Sequence, residues 1–189
     1  MCNDYGNYVD YDDYLAAFSQ TRIPVKWPDA IPNLQPRDDI WPTDRAPVIP
    51  GSKTGPTSLR WGFPPAQPKR PPVSIFGPRE DAFRSADASY RRPSFMSSLA
   101  PSRQRRSGVF TKIGQPWFCF AGLGRPMQEG GAAFTMLTTD PSEDIAPTHD
   151  WQTVIVERAD RSAWLELKGN EAELLRALPT GSLEVEQVR

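Results

Sequence analysis

Proline sets the terms for the early part of this chain. Thirteen of its 21 prolines lie between Pro24 and Pro72. Each fixes its own φ, lacks a backbone donor and biases the preceding residue toward extended backbone. Long helices are excluded there, and unbroken central strands are hard to build. The stretch must therefore consist of short extended segments and turns, among which APVIPG (46–51) and SLRWGFPP (58–65) read as strands. Ahead of it, YDDYLAAFSQ (11–20) places Leu15, Phe18 and Tyr14 toward one face and reads as a short helix.

From Phe110 onward the pattern changes. FTKIGQPWFCFAGL (110–123) holds two apolar runs around the turn signal IGQP and reads as a hairpin. AAFTMLTTD (132–140) and QTVIVE (152–157) read as strands, RSAWLEL (161–167) and NEAELLRAL (170–178) as short helices, and SLEVEQV (182–188) as a closing strand. Asn170 is the N-cap candidate of the second helix. Strands with interspersed short helices and no regular βαβ rhythm indicate an α+β fold, with a mostly antiparallel sheet or barrel. We read residues 1–189 as one domain, a length that supports a real core.

Residues 74–109 fit neither half. They hold eight Ser and seven Arg against three acidic residues and show no sustained period. Composition alone describes a disordered basic loop. A structureless loop of 36 residues inside a compact domain needs a reason.

Charge and cysteine content narrow the function classes. A net charge of −1 and a pI near 5.9 give no global basic signal for nucleic acid, although a local patch remains open. Cys2 and Cys119 do not make a disulfide framework, so a cytoplasmic location is expected. With one histidine, a four-ligand structural zinc site would need carboxylates, and no metal or other cofactor is expected. No apolar run approaches the roughly 18 residues of a membrane span. The acidic, aromatic composition of the first 20 residues is not that expected of a targeting peptide. Cys119, in an apolar run, reads as buried and inert. His149–Asp150 lacks the nucleophile-elbow serine of a hydrolase triad, and GSKTG (51–55) lacks the spacing of a phosphate loop and reads as a turn.

Cys2 follows the initiator Met directly. Removal of Met1 would leave an α-amine and a thiol on one residue. MCN at the start, RWGF (60–63), WFCFAGL (117–123), FTMLTTDP (134–141) and PTHDWQTVIVE around His149 occur in the order of one family. The chain resembles the SOS response-associated peptidase (SRAP) family, the abasic-site processing proteins, over most of its length outside 74–109.

The resemblance implies covalent capture of abasic sites in single-stranded DNA. The N-terminal amine attacks the ring-opened sugar aldehyde to give a Schiff base, and the thiol closes a thiazolidine. An α-amine of pKa roughly 7.7–8.0 is partly neutral at pH 7, and the adjacent thiol adds at high effective molarity. By the same resemblance, Cys2 and His149 are the catalytic residues, with His149 assisting proton transfer. Asn3, Arg60, Trp61, Thr138 and Thr139 are DNA-binding candidates. Each also has a plain structural reading: core packing for Trp61, strand-end threonines for Thr138 and Thr139. The resemblance further implies a peptidase label from autoproteolysis, lyase-type chemistry, a monomeric state and a partner in abasic single-stranded DNA. The alternative is a non-catalytic or decayed DNA-binding member that uses its Arg-rich segment.

Two stretches of the family pattern are missing. One is NARAE- or NFRSE-like and follows RWG; the other is IPASxFYEW-like and carries a Glu for acid/base steps. Both belong inside 74–109. Read from the third base of each codon, codons permitted for Ser74–Glu80 spell NFRSEG, and those for Asp87–Gly108 can spell RFIPASKLYEFTGAKSPKTKWR. The single codon of Met96, followed by an AGT or AGC serine, gives GAG for glutamate. This reading expects a base lost near Val73 and one gained near Val109, with length unchanged. It also expects impaired chemistry in the chain as written.

Overall fold

The computed structural model describes residues 4–19, 36–51, 56–77 except 66 and 68, 94–99, 102–104, 108–127 and 130–186, with backbone only at 17, 94–99, 102–104 and 108. Strand β1 (Tyr5–Asn7) and helix α1 (Tyr11–Phe18) open the chain. Strands β2 (Arg37–Ile40), β3 (Arg45–Pro50), β4 (Thr57–Trp61) and β5 (Ile75–Phe76) follow. Next come β6 (Ser94–Leu99), β7 (Ser102–Gln104), β8 (Gly108–Lys112), β9 (Phe118–Pro126) and β10 (Ala132–Thr139). The rest comprises β11 (Gln152–Thr153), β12 (Ile155–Val156), α2 (Arg161–Leu165), α3 (Glu171–Leu174) and β13 (Leu183–Glu186).

The principal sheet runs β11-β10-β4-β3-β6-β9-β12, and β10 also pairs with β9. That extra pairing closes β10, β4, β3, β6 and β9 into a ring, a small barrel. Among the described residues, the ladders are antiparallel except the two that β10 makes with β4 and β5. The expected α+β, mostly antiparallel barrel with a few short helices is what forms.

Strand β9 is buried on both sides, and its alternation sorts two cores. Phe118 and Phe120 face a cluster with Tyr5, Trp61, Phe134 and Met136. Cys119, Ala121 and Leu123 face a second cluster with Tyr14 and Phe18 of α1 and Trp164 and Leu165 of α2. Asp10 caps α1 by accepting from Asp13 N at 2.8 Å, an ordinary N-cap contact. Leu15, expected on the buried face, is exposed, and Tyr14 and Phe18 are buried and anchor the helix.

Several expectations need correction. The run 110–123 is not a hairpin: β8 pairs with β13 and β7, while β9 pairs with β6, β10 and β12. Both edges of β9 are occupied, so β8 has no place beside it. QTVIVE is two strands rather than one. Gln152–Thr153 lies on the end of β10 and Ile155–Val156 on β9, with Val154 donating to Leu137 O and accepting from Ala121 N, each at 2.9 Å. The segment fills the fork where β9 and β10 diverge. Helix α3 is four residues rather than nine, although Asn170 caps it as expected. Within 74–109, the described backbone is not structureless: residues 75–76, 94–99 and 102–104 are strands.

Candidate functional site

His149 closes a turn-built segment between β10 and β11. Its amide donates to Ile145 O at 3.0 Å, and Ile145 and Ala146 donate back to Ser142 O at 3.0 and 2.8 Å. Two side chains clamp this segment. Gln152 accepts from Ser142 N through Oε1 at 2.7 Å. Asp144 accepts from the backbone amides of Gly181, Ser182 and Leu183 at 2.8–3.1 Å, which ties the turn to the start of β13. These amides hold the Asp144 carboxyl below its usual range.

The imidazole of His149 meets the Trp151 indole edge to face, with centroids 4.4 Å apart and planes at 70°. Both rings line a cavity of about 30 Å³ together with Phe118, Phe120, Gln152 and Thr153. Burial lowers the pKa of His149, repulsion from the positive charge of the chain's amino terminus lowers it further, and Asp150 raises it. The net direction is downward from 6.5, so the ring is neutral at pH 7 and able to accept a proton.

Thr138 and Thr139 stand next to this turn. β11 pairs with the end of β10 so that Thr139 faces Gln152 and Thr138 faces Thr153. Thr138 is buried and donates to Phe76 O at 3.0 Å, so its hydroxyl is committed to the fold. Thr139 is half-buried. The amide nitrogen of Gln152 is buried and makes no hydrogen bond among the described residues.

Arg60 and Trp61 lie elsewhere. They pair with Ala133 and Phe134 of β10, five residues before Thr138 and Thr139 and thus roughly 17 Å along the strand. Trp61 is fully buried and belongs to the core. Its indole donates to Ser74 O at 2.8 Å and its ring packs on Tyr5 at 5.0 Å. It is not a platform on which a base can stack. Gly62, next in the RWG triplet, has φ +97°, and a Cβ there would sit 3.0 Å from Pro72 Cβ, so a side chain would be strained. Arg60 is half-buried and directly opposite Arg45 across the β3–β4 ladder. Two like charges so placed repel, and an anion between them would relieve that.

Cys2 and Asn3 lie outside the described residues. The strand that follows them is firmly held: Tyr5 packs edge-on against Trp61 and, at 6.5 Å, against Phe120, a wall of the His149 cavity. Cys119 is buried as expected, and burial pushes its thiol up to about 11. Among the described residues, no group of three or more His, Cys, Asp or Glu could hold a metal ion. No described helix is long and apolar enough to cross a membrane. Asp144, Trp151 and Gln152 escaped the sequence reading. The Asp144 partners lie 37–39 residues away, and no local pattern signals such a contact.

The family described as SOS response associated peptidase (SRAP) matches residues 97–189. No curated protein matches the chain. Solved structures share the fold. A protein from Bordetella bronchiseptica aligns with a TM-score of 0.70 at 17% identity, with all of both chains covered. A protein from Bacteroides thetaiotaomicron gives 0.67 at 15% identity over 100% of this chain and 92% of its own. A phage-related protein from Bordetella bronchiseptica gives 0.66 at 18% identity over 100% and 94%. The sequence match spans the part of the chain that carries β9, β10 and His149, where the chain is similar to the SOS response associated peptidase family, and the shared fold extends over the whole of it.

Proposed function

We propose that this chain captures abasic sites in single-stranded DNA through Cys2, after removal of Met1. The amine of Cys2 adds to the sugar aldehyde and loses water to form an imine. The thiol then adds to the imine carbon, its proton passes to the nitrogen, and a thiazolidine results. His149 takes and returns protons at the aldehyde oxygen during these steps. The peptidase and lyase activities of the family would draw on the same nucleophiles.

The observation that carries this reading is the state of His149: neutral at pH 7, clamped in its turn, and electrostatically sensitive to the chain's amino terminus. Covalent geometry adds a limit. Two residues lie between Cys2 and Tyr5, so three Cα–Cα steps keep their Cα atoms within about 11 Å of each other. Arg60 opposite Arg45 supports a phosphate contact along β10.

The test is a denaturing gel of the Met1-processed protein mixed with single-stranded DNA bearing one abasic site. A shifted band that disappears in Cys2→Ala is expected, and His149→Ala should form it more slowly, by about 10²–10⁴-fold. Intact DNA, or a band that persists in Cys2→Ala, removes the reading.

The absence of two family stretches from 74–109 favours a second reading, a DNA-binding member without capture chemistry. It expects reversible binding that weakens steeply with salt, and no band under denaturing conditions.

A further inference from the structure

Gln152 is placed by its strand and by one side-chain hydrogen bond. β11 lies on the end of β10, with Gln152 opposite Thr139. Its Oε1 accepts from Ser142 N at 2.7 Å. A backbone amide can only donate, so this contact settles which end of the side-chain amide faces Ser142, and the NH2 group must face the other way. The residue is 6% exposed. Its Nε2 is buried and has no hydrogen-bond partner among the described residues. A buried donor is costly to leave unmatched.

Gln152 lines the same cavity as His149, and the walls between them are mainly apolar, with Phe118, Phe120, Ile155 and Leu183 among them. The volume, about 30 Å³, decides what can enter. A cavity that holds benzene measures about 150 Å³, whereas one water-sized group needs about 10–15 Å³. A base or a sugar ring is excluded, and a single oxygen with its carbon fits.

We propose that Gln152 is a catalytic residue that donates from Nε2 to the aldehyde oxygen of the abasic sugar, an inference that rests on the capture reaction proposed above. As the amine nitrogen of Cys2 bonds to the aldehyde carbon, the π pair of the carbonyl moves onto oxygen. That oxygen then accepts from Gln152 at the moment its charge develops. Both protons of the amine pass to it by way of His149, and it leaves as water, with the imine behind it. The carboxamide cannot give up its proton at neutral pH, so its part is to hold charge while His149 moves protons. The donor is already oriented by Ser142 and the apolar walls keep water out, the conditions under which such a contact counts most.

The rate of adduct formation on abasic single-stranded DNA tests this, measured at pH 8 for the Met1-processed chain and two variants. Gln152→Glu keeps an acceptor for Ser142 N and loses the donor; Gln152→Met loses both. Both variants are expected to form the adduct about 10²–10³-fold more slowly. Amide exchange at Ser142 should stay slow in Gln152→Glu. Affinity for the same oligomer carrying a tetrahydrofuran analogue, which has no aldehyde, should be unchanged in Gln152→Glu. An unaltered rate in Gln152→Glu, with only Gln152→Met slowed, would reduce Gln152 to a clamp on the turn and overturn the proposal. So would a loss of analogue affinity as large as the loss of rate. No adduct with the unaltered chain removes the capture reaction itself, and this inference with it.

Discussion

A chain with a single histidine offers a clean probe of its own site. The proton resonance of His149 should titrate with a midpoint below 6.5, because burial disfavours the charged ring. Asp150→Asn removes the one influence that raises it, so the midpoint should fall further. The sign for stability follows: the unfolded chain holds the proton more tightly, so this contribution is present above about pH 6.5 and is lost as pH drops through the folded value. A midpoint at or above 6.5 would mean that the ring is better solvated than the Trp151 contact implies. Trp61 tests differently. As a core residue with a satisfied indole, Trp61→Ala should cost about 3–5 kcal/mol in chemical denaturation. A variant of full stability that has lost only DNA affinity would return Trp61 to the binding surface.

At the level of elements, the closure of the turn by Asp144 predicts an acid-sensitive joint. Its carboxyl is held low by three backbone amides, so its stabilisation is present above the ordinary carboxylate pKa and is lost as pH falls through the lowered one. Asp144→Ala should loosen the 142–149 turn at neutral pH, visible as faster amide exchange at His149, without melting β9 or β10. Unchanged exchange at His149 would mean that Gln152 alone clamps the turn. The strands themselves were largely legible in the sequence: APVIPG, SLRW, FCFAGL, AAFTMLTT and LEVE all form where their residue types predict. Their partners were not. A two-sided apolar run such as Phe118–Leu123 says that a strand is buried, but not which neighbours occupy its edges. That is why a crossing between two sheets resembled a hairpin, and why one apparent strand at 152–157 serves two ladders. His149 could be singled out from the sequence by its motif, whereas its supports depend on contacts far along the chain.

For the whole molecule, the ring depends on its least regular segment. β6 joins β3 to β9, with Met96 opposite Ile49 and Ala121, and it comes from the stretch whose composition departs from the rest. Backbone pairing does not require a particular sequence, but strand stability rests on side-chain packing across the sheet. We propose that the gene, read in the shifted frame over 74–109, encodes the two missing stretches; its nucleotide sequence decides this directly. The frame-restored chain should melt higher, by roughly 2–4 °C for each kcal/mol of packing regained. Equal melting temperatures would mean that the present segment packs as well as the restored one. The closed ring also sets an order of events during synthesis. β4 is complete at Trp61, but its partner is Phe134, so its second edge stays open while more than seventy further residues are made. A nascent chain halted in that interval carries a bare strand edge, and it meets the cell's chaperones and proteases as an unfinished vessel rather than as a smaller version of the protein.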